Sequence, residues 1–210
     1  MNLLAVSKTC PGVSVRAAFD AGQRDFGENY VQEALAKIDE LADLRADLRW
    51  HLIGPLQSNK AREVAAHFDW VHAIDRMKLA QRLSDLRPDH LAPLQVCLQV
   101  NVSGEASKSG IAPEAALALA HEVARLPRLK LRGLMAIPEP AGDLEAQRVP
   151  HRALRKLFEA MNAEGLGLDT LSMGMSADLE AAIAEGATWV RVGTAIFGAR
   201  ASKPEPEPTS

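Results

Sequence analysis

The sequence predicts a single α/β domain built as a (β/α)8 barrel, and three observations point there. Short β-like runs alternate with longer helical stretches along the whole chain, which calls for parallel strands joined by crossovers. The runs number eight, the count that closes a barrel. The G-x-G-x-x-G fingerprint of an open dinucleotide-binding sheet is missing after the first run, which disfavours the doubly wound alternative.

The strand candidates are residues 3–7, 25–29, 50–54, 70–75, 94–102, 129–137, 169–173 and 189–197. Helical periodicity fills the gaps at residues 13–21, 30–44, 59–68, 76–86, 113–126, 150–163 and 178–185. The clearest helix is 113–126, opened by Pro113, with Ala116, Leu117, Ala120, Val123, Ala124 and Leu126 as its apolar stripe. An eighth outer helix is missing from the count, because only twelve Pro-rich residues follow Gly198. Either something else covers the seam between the last strand and the first, or the sequence lacks an N-terminal helix and the seam exposes apolar surface. Residues 1–199 read as one domain. Residues 200–210 alternate Pro with acidic charge and read as a disordered tail.

At 210 residues, with 47% apolar and 24% charged residues, the chain suits one large globular domain. A net charge of −3 and the lack of any dense basic run give no reason to expect a nucleic acid or an acidic membrane as partner. Two distant cysteines, Cys10 and Cys97, indicate a reducing compartment. No run approaches the ~20 apolar residues of a membrane span, and no signal peptide opens the chain, so the cytoplasm is the expected location. The six histidines show no H-x-H or H-E-x-x-H spacing, so a metal centre is not expected.

A barrel of this type places its site at the C-terminal strand ends. Lys8 ends the first strand, where alternation puts Leu4, Val6 and Lys8 on one face. Its ammonium either tops the barrel interior, where partial desolvation favours a nucleophilic amine, or reaches solvent as an ordinary lysine. Arg191 lies within an apolar run, and a buried guanidinium there needs an acceptor, either a carboxylate or a ligand atom. Gly193 and Thr194 follow it and let backbone N–H groups approach an anion beside a hydroxyl. Ser176, after the seventh strand, is placed to cap the next helix, with Asp178 and Glu180 in its first turn. Small-residue loops after strands seven and eight form the usual phosphate site of this fold, so a phosphate-bearing ligand is expected.

Several stretches together resemble one family. They are Leu-Ala-Val-Ser-Lys-Thr (4–9), Phe-Gly-Glu-Asn-Tyr-Val-Gln-Glu (26–33) and Trp-His-Leu-Ile-Gly-Pro-Leu-Gln-Ser-Asn-Lys (50–60). Asn-Val-Ser (101–103), Ser-Lys-Ser-Gly (107–110) and Gly-Leu-Met-Ala-Ile-Pro (133–138) continue the match. Leu-Ser-Met-Gly-Met-Ser (171–176) and Val-Arg-Val-Gly-Thr-Ala-Ile-Phe-Gly (190–198) complete it. The chain is similar to the pyridoxal phosphate homeostasis proteins, whose barrel is of the alanine racemase N-terminal type. That resemblance implies pyridoxal 5′-phosphate (PLP) held as a Schiff base on Lys8, with the phosphate on Ser176, Gly193 and Thr194. It also implies that Arg191 lies near the pyridine nitrogen, where a permanent cation disfavours ring protonation. Asn29 and Ser172 complete the implied cofactor-binding set. Family members are carriers or regulators of free PLP without an established turnover reaction, so PLP-dependent apo-enzymes are the partners it suggests and a monomer the expected state. They generally carry a helix before the lysine strand, which this sequence lacks.

The main rival is a PLP-dependent amino-acid racemase, which needs an acid/base on each face of the substrate. Tyr30 is the only tyrosine, and packing at the start of the second helix is its plainer role. A phosphate-binding isomerase without PLP would draw on Glu28, His51 or Asp75, which nothing in the sequence brings together. His51 reads as a hydrogen-bonded core histidine. Lys60 and Lys108 are alternative amines, Lys108 being a candidate for secondary attachment, and Cys10 reads as an ordinary thiol.

Overall fold

The computed structural model describes residues 1–103 and 109–198. Eight parallel strands close a barrel in chain order: β1 (Asn2–Val6), β2 (Asp25–Glu28), β3 (Arg49–Leu52), β4 (Trp70–Ile74), β5 (Leu94–Gln99), β6 (Leu129–Met135), β7 (Thr170–Ser172) and β8 (Trp189–Val192). β8 returns to β1 in register from Asn2↔Trp189 to Ala5↔Val192. Around the barrel run α1 (Gly12–Asp20), α2 (Val31–Glu40), α3 (Ala61–His67), α4 (Met77–Leu86), α5 (Pro113–Val123), α6 (Leu144–Ala163), α7 (Leu179–Ala184) and α8 (Thr194–Phe197).

Alternation divides the strand residues between two cores. Ala5, Phe26, Trp50, Val71, Val96 and Leu134 face the helices and belong to one continuous apolar layer. Leu4, Ile53 and Trp189 cluster inside the barrel, beside Trp70, Cys97 and Met135. Trp70 and Trp189 sit on opposite sides of the ring, yet their centroids are 5.8 Å apart, so both point at the axis. Burying large apolar side chains such as Phe26 and Trp50 stabilises the fold by roughly 1.5–3 kcal/mol each.

A bulge interrupts β6. Val96 pairs with Leu131 and Cys97 with Gly133, leaving Arg132 without an opposite residue. The guanidinium of Arg132 lies 4.8 Å from the centroid of the Trp70 ring and is paired with Asp169. At Gly133 the next strand comes so close that a Cβ would stand 1.8 Å from the carbonyl oxygen of Thr170.

Three sequence expectations are corrected. The last strand, expected to reach residue 197, stops at Val192. Its β1 partners end at Ala5, so the following backbone turns into one helical turn whose Ile196 and Phe197 N–H groups donate to the Gly193 carbonyl. That turn is the eighth helix, and it is short. The outward-facing Leu3 of β1 stays 42% exposed, whereas Phe26 and Trp50 on the covered strands are fully buried. Helix α6 begins at Leu144 and not at Pro150, because the Asp143 carboxylate accepts from the Ala146 N–H at 2.8 Å and caps it; Pro150 lies inside. Ser176 does not cap α7. Asp178 is the N-cap residue, and its carboxylate turns back to accept from the Met175 N–H at 2.7 Å. The expected tail at 200–210 lies outside the described residues.

Candidate functional site

A cavity of about 290 Å³ opens at the C-terminal ends of the strands. Val6 and Lys8 come from the end of β1, Asn29 from the end of β2, and Ser176 from the loop after β7. Arg191, Gly193 and Thr194 come from β8 and the turn after it. Of the seven residues expected to bind a cofactor, six line this one cavity: Lys8, Asn29, Ser176, Arg191, Gly193 and Thr194. Ser172 is fully buried and does not line it; it acts on the site through Arg191.

Lys8 is half-buried, and its backbone is pinned on both sides. The Ser7 N–H donates to the Gly27 carbonyl at 3.0 Å, and the Ser7 carbonyl accepts from Lys37 Nζ at 2.6 Å. On the other side the Thr9 N–H donates to Glu33 Oε1 at 2.5 Å. Thr9 has φ of +64°, unusual for a residue with a β-branched side chain, and this kink turns the chain away just past the lysine. Glu28 completes the anchor, accepting from Ser7 Oγ at 2.6 Å and from Lys37 Nζ at 2.7 Å. Burial raises the Glu28 carboxyl above its ordinary range despite the nearby ammonium of Lys37, and its Oε2 finds no partner among the described residues. Lys37 and Glu33 were missed by sequence reasoning. Their four-residue spacing on a helix was the available signal.

Arg191 is buried, and its acceptors differ from those expected. In place of a carboxylate, Nη1 donates to the carbonyl and hydroxyl of Ser172 at 2.7 and 3.0 Å, and Nη2 donates to the Ala136 carbonyl at 2.8 Å. Burial pushes the guanidinium down to about 10, partly offset by Asp178, so it remains charged at neutral pH. The cavity therefore carries a cation whose direction is set by three acceptors, two on Ser172 of β7 and one at Ala136 just past β6.

The loop at Ser176 is held from behind. Asp178 joins the Met175 N–H to His151 Nε2, at 2.7 and 2.9 Å. Burial alone would raise the Asp178 carboxyl; the bonds from His151 and Met175 outweigh it and hold it below the usual range. Farther back, Glu185 at the end of α7 is buried and paired with Arg148, Arg152 and Arg155 of α6.

The remaining candidates stand apart from the cavity. Tyr30 is 59% exposed, so the packing role expected for it is corrected: as the extended residue preceding α2, its ring projects outward. His51 is a hydrogen-bonded core residue, as expected. Asp75 pairs with Arg76 and Lys60 with Glu63. Burial raises the Cys97 thiol, and Cys10 Sγ lies 3.7 Å from the Lys8 carbonyl. Lys108 lies outside the described residues. Among the described residues, no group of His, Cys, Asp and Glu could hold a metal ion, and no helix is long and apolar enough to cross a membrane.

A closed parallel barrel with a lysine ending its first strand and an anion-suited loop at its last defines a class. Residues 1–201 match the model of the alanine racemase N-terminal domain. Within that class the chain belongs to the family of pyridoxal phosphate homeostasis proteins. It is 66% identical over 200 residues to the pyridoxal phosphate homeostasis protein of Pseudomonas aeruginosa, covering 95% of this chain and 85% of the relative. The counterpart from Escherichia coli K12 is 55% identical over 201 residues, with 95% and 86% covered. The structure of PipY from Synechococcus elongatus with PLP bound superposes with a TM-score of 0.86 at 43% identity, covering 94% of this chain and 92% of PipY. Alanine racemase of Clostridium difficile shares the fold alone, with a TM-score of 0.78 at 13% identity, covering 99% and 55%.

Proposed function

We propose that this chain binds PLP at the strand-end cavity and serves as a carrier and regulator of the free cofactor in the cytoplasm. The supporting observation is convergence: one amine, one oriented guanidinium and one small-residue anion loop, from opposite ends of the sequence, face a single cavity. Its volume of about 290 Å³ suits a ligand with one ring and one phosphate. Lys8 is the amine to which the aldehyde is joined. Ser176, Gly193 and Thr194 receive the phosphate, and Asn29 lies beside the ring. Arg191 faces the ring nitrogen as a donor that keeps its charge. When bound, the cofactor supplies an electrophilic carbon and an electron-accepting ring. A cation held against the nitrogen weakens that ring as an acceptor, which favours storage over turnover. Among the described residues the racemase reading finds no second acid/base at the cavity, because Tyr30 is exposed and does not line it. A monomer handing PLP to apo-enzymes is the assembly this reading favours.

The decisive experiment is trapping. Protein incubated with PLP and reduced with borohydride should carry one stable adduct, and peptide mapping should place it on Lys8. Lys8→Ala should lose the visible absorbance of bound PLP and keep only a weaker, phosphate-driven association. Normal absorbance in Lys8→Ala would reject the assignment. Exchange of the α-proton of L-alanine in D₂O at an enzyme-like rate would reject the carrier reading.

The loop support gives a second expectation. Asp178→Ala removes the charge-assisted bonds to Met175 and His151. Calorimetric titration should show PLP affinity falling about tenfold, or about 1.4 kcal/mol. An unchanged affinity would mean the loop needs no such brace.

A further inference from the structure

An unbroken row of hydrogen bonds runs through the barrel interior from the base of β2 to the cavity. Asp25 Oδ1 lies 3.1 Å from His51 Nε2, His51 Nδ1 lies 3.0 Å from His72 Nε2, and His72 Nδ1 lies 2.9 Å from Ser172 Oγ. Ser172 Oγ accepts in turn from Arg191 Nη1 at 3.0 Å. The members come from β2, β3, β4, β7 and β8, so the row crosses the barrel. His51, His72 and Ser172 are fully buried. Trp70 stacks on His51 at 5.3 Å with the ring planes 8° apart, and Trp189 lies 5.1 Å from His51, closing the row to water.

The two ends dictate the direction of every bond between them. Bonds from His51 and Arg49 outweigh the effect of burial on Asp25 and hold its carboxyl below the usual range, so at neutral pH it only accepts. His51 must then carry its proton on Nε2. Burial lowers both imidazoles, so each ring is neutral and holds one proton. With Nε2 of His51 protonated, its Nδ1 accepts, and His72 must donate from Nε2. His72 Nδ1 then accepts the hydroxyl proton of Ser172, which leaves the Ser172 oxygen to accept from Arg191, a group that only donates.

We infer that Asp25, His51, His72 and Ser172 are positioning residues that orient the Arg191 guanidinium through a one-way hydrogen-bonded chain anchored on a carboxylate at the far end of the barrel. The chain joins a cation at the cavity to an anion at the opposite mouth through two histidines, each fixed in the Nε2–H form. It resists reversal, because a reversed chain would require Asp25 to donate. The effect on bound ligand rests on the proposed placement of the PLP ring beside Arg191; the state of the histidines does not.

The test uses the full chain labelled with ¹⁵N-histidine, without PLP, at neutral pH. His51 and His72 should both show a protonated Nε2 and a bare Nδ1. Asp25→Asn replaces the acceptor-only end by an amide that either donates or accepts. The second tautomer should then appear at both rings, including His72, which Asp25 does not touch. Arg49→Gln is the control: it removes the 2.7 Å ion pair to Asp25 but leaves the chain intact, so it should lower the melting temperature without altering the rings. Loaded with PLP, Asp25→Asn should shift the absorbance maximum of the bound cofactor, and Arg49→Gln should not. A protonated Nδ1 on His72 in the parent protein, or unchanged His72 nitrogens in Asp25→Asn, would overturn the chain. An altered His72 with unshifted PLP absorbance would overturn its action on Arg191. If the parent protein bound no PLP, the functional reading would fail and the NMR measurement would still decide the chain.

Discussion

Lys37→Met is expected to destabilise the protein by about 3–5 kcal/mol at neutral pH, because it removes one partner of a buried ion pair. Lys37 and Glu28 have side chains that are 5% and 0% exposed, and Glu28 Oε2 already lacks a partner among the described residues. Without Lys37, the Glu28 carboxylate keeps only the Ser7 hydroxyl, and the Ser7 carbonyl loses its donor. The sign of the pH dependence follows from the carboxyl. Its folded value already lies above the ordinary 4.5, so its contribution to stability is full below 4.5 and is lost as pH rises through the folded value. Removing the ammonium raises the folded value further. The penalty should therefore be largest near pH 7 and shrink toward pH 5, where Glu28 takes up a proton. Urea unfolding at the two pH values checks this, and an equal or larger penalty at pH 5 would contradict it. The double variant Glu28→Gln with Lys37→Met should recover most of the loss, because no charge is then left buried.

Gly133→Ala should cost about 3 kcal/mol or more, at the upper end of what overpacking does. The added Cβ would stand 1.8 Å from Thr170 O and 2.7 Å from its carbon, both backbone atoms that no side-chain rotation can move. The strain falls on β7, which has three residues and pairs with β8 only through Ser172 and Trp189. Forcing β6 and β7 apart thus attacks the weakest join of the ring. Gly142→Ala is the companion measurement: nothing lies within 4 Å of its added Cβ, so its midpoint should stay within about 0.5 kcal/mol of the parent. A Gly133→Ala protein as stable as Gly142→Ala would show that the strands can separate without penalty.

The barrel was legible because each strand is a short apolar run closed by a polar or small residue, and eight such runs admit few arrangements. What failed were the ends. The run 189–197 is rich in β-favouring residues on both sides of Gly193, and the lack of a pairing partner past Val192 lets its second half turn into a helix. Ser176 and Asp178 both suit a cap, and local sequence cannot tell which carboxylate or hydroxyl turns back on the loop. At the site, Lys8, Asn29, Ser176, Arg191, Gly193 and Thr194 were each identified and do converge. Their supports were hidden, since His72 meets Ser172 across 100 residues and Lys37 meets Ser7 across 30. Such partners are chosen by strand register and helix phase, which emerge only when the ring closes.

Glu185 has a bearing on how the chain tolerates change. Three arginines from one helix converge on a single buried carboxylate, like spokes on a hub. Any one spoke can drift while the other two keep the charge compensated, so each arginine is individually expendable. Losing the hub would leave Arg148 and Arg152 on Glu145 and Arg155 on Glu159, all within the sixth helix, and would cut the tie to the seventh. The joint between the sixth and seventh helices, and with it the backing of the anion loop, is thus robust at three positions and brittle at one.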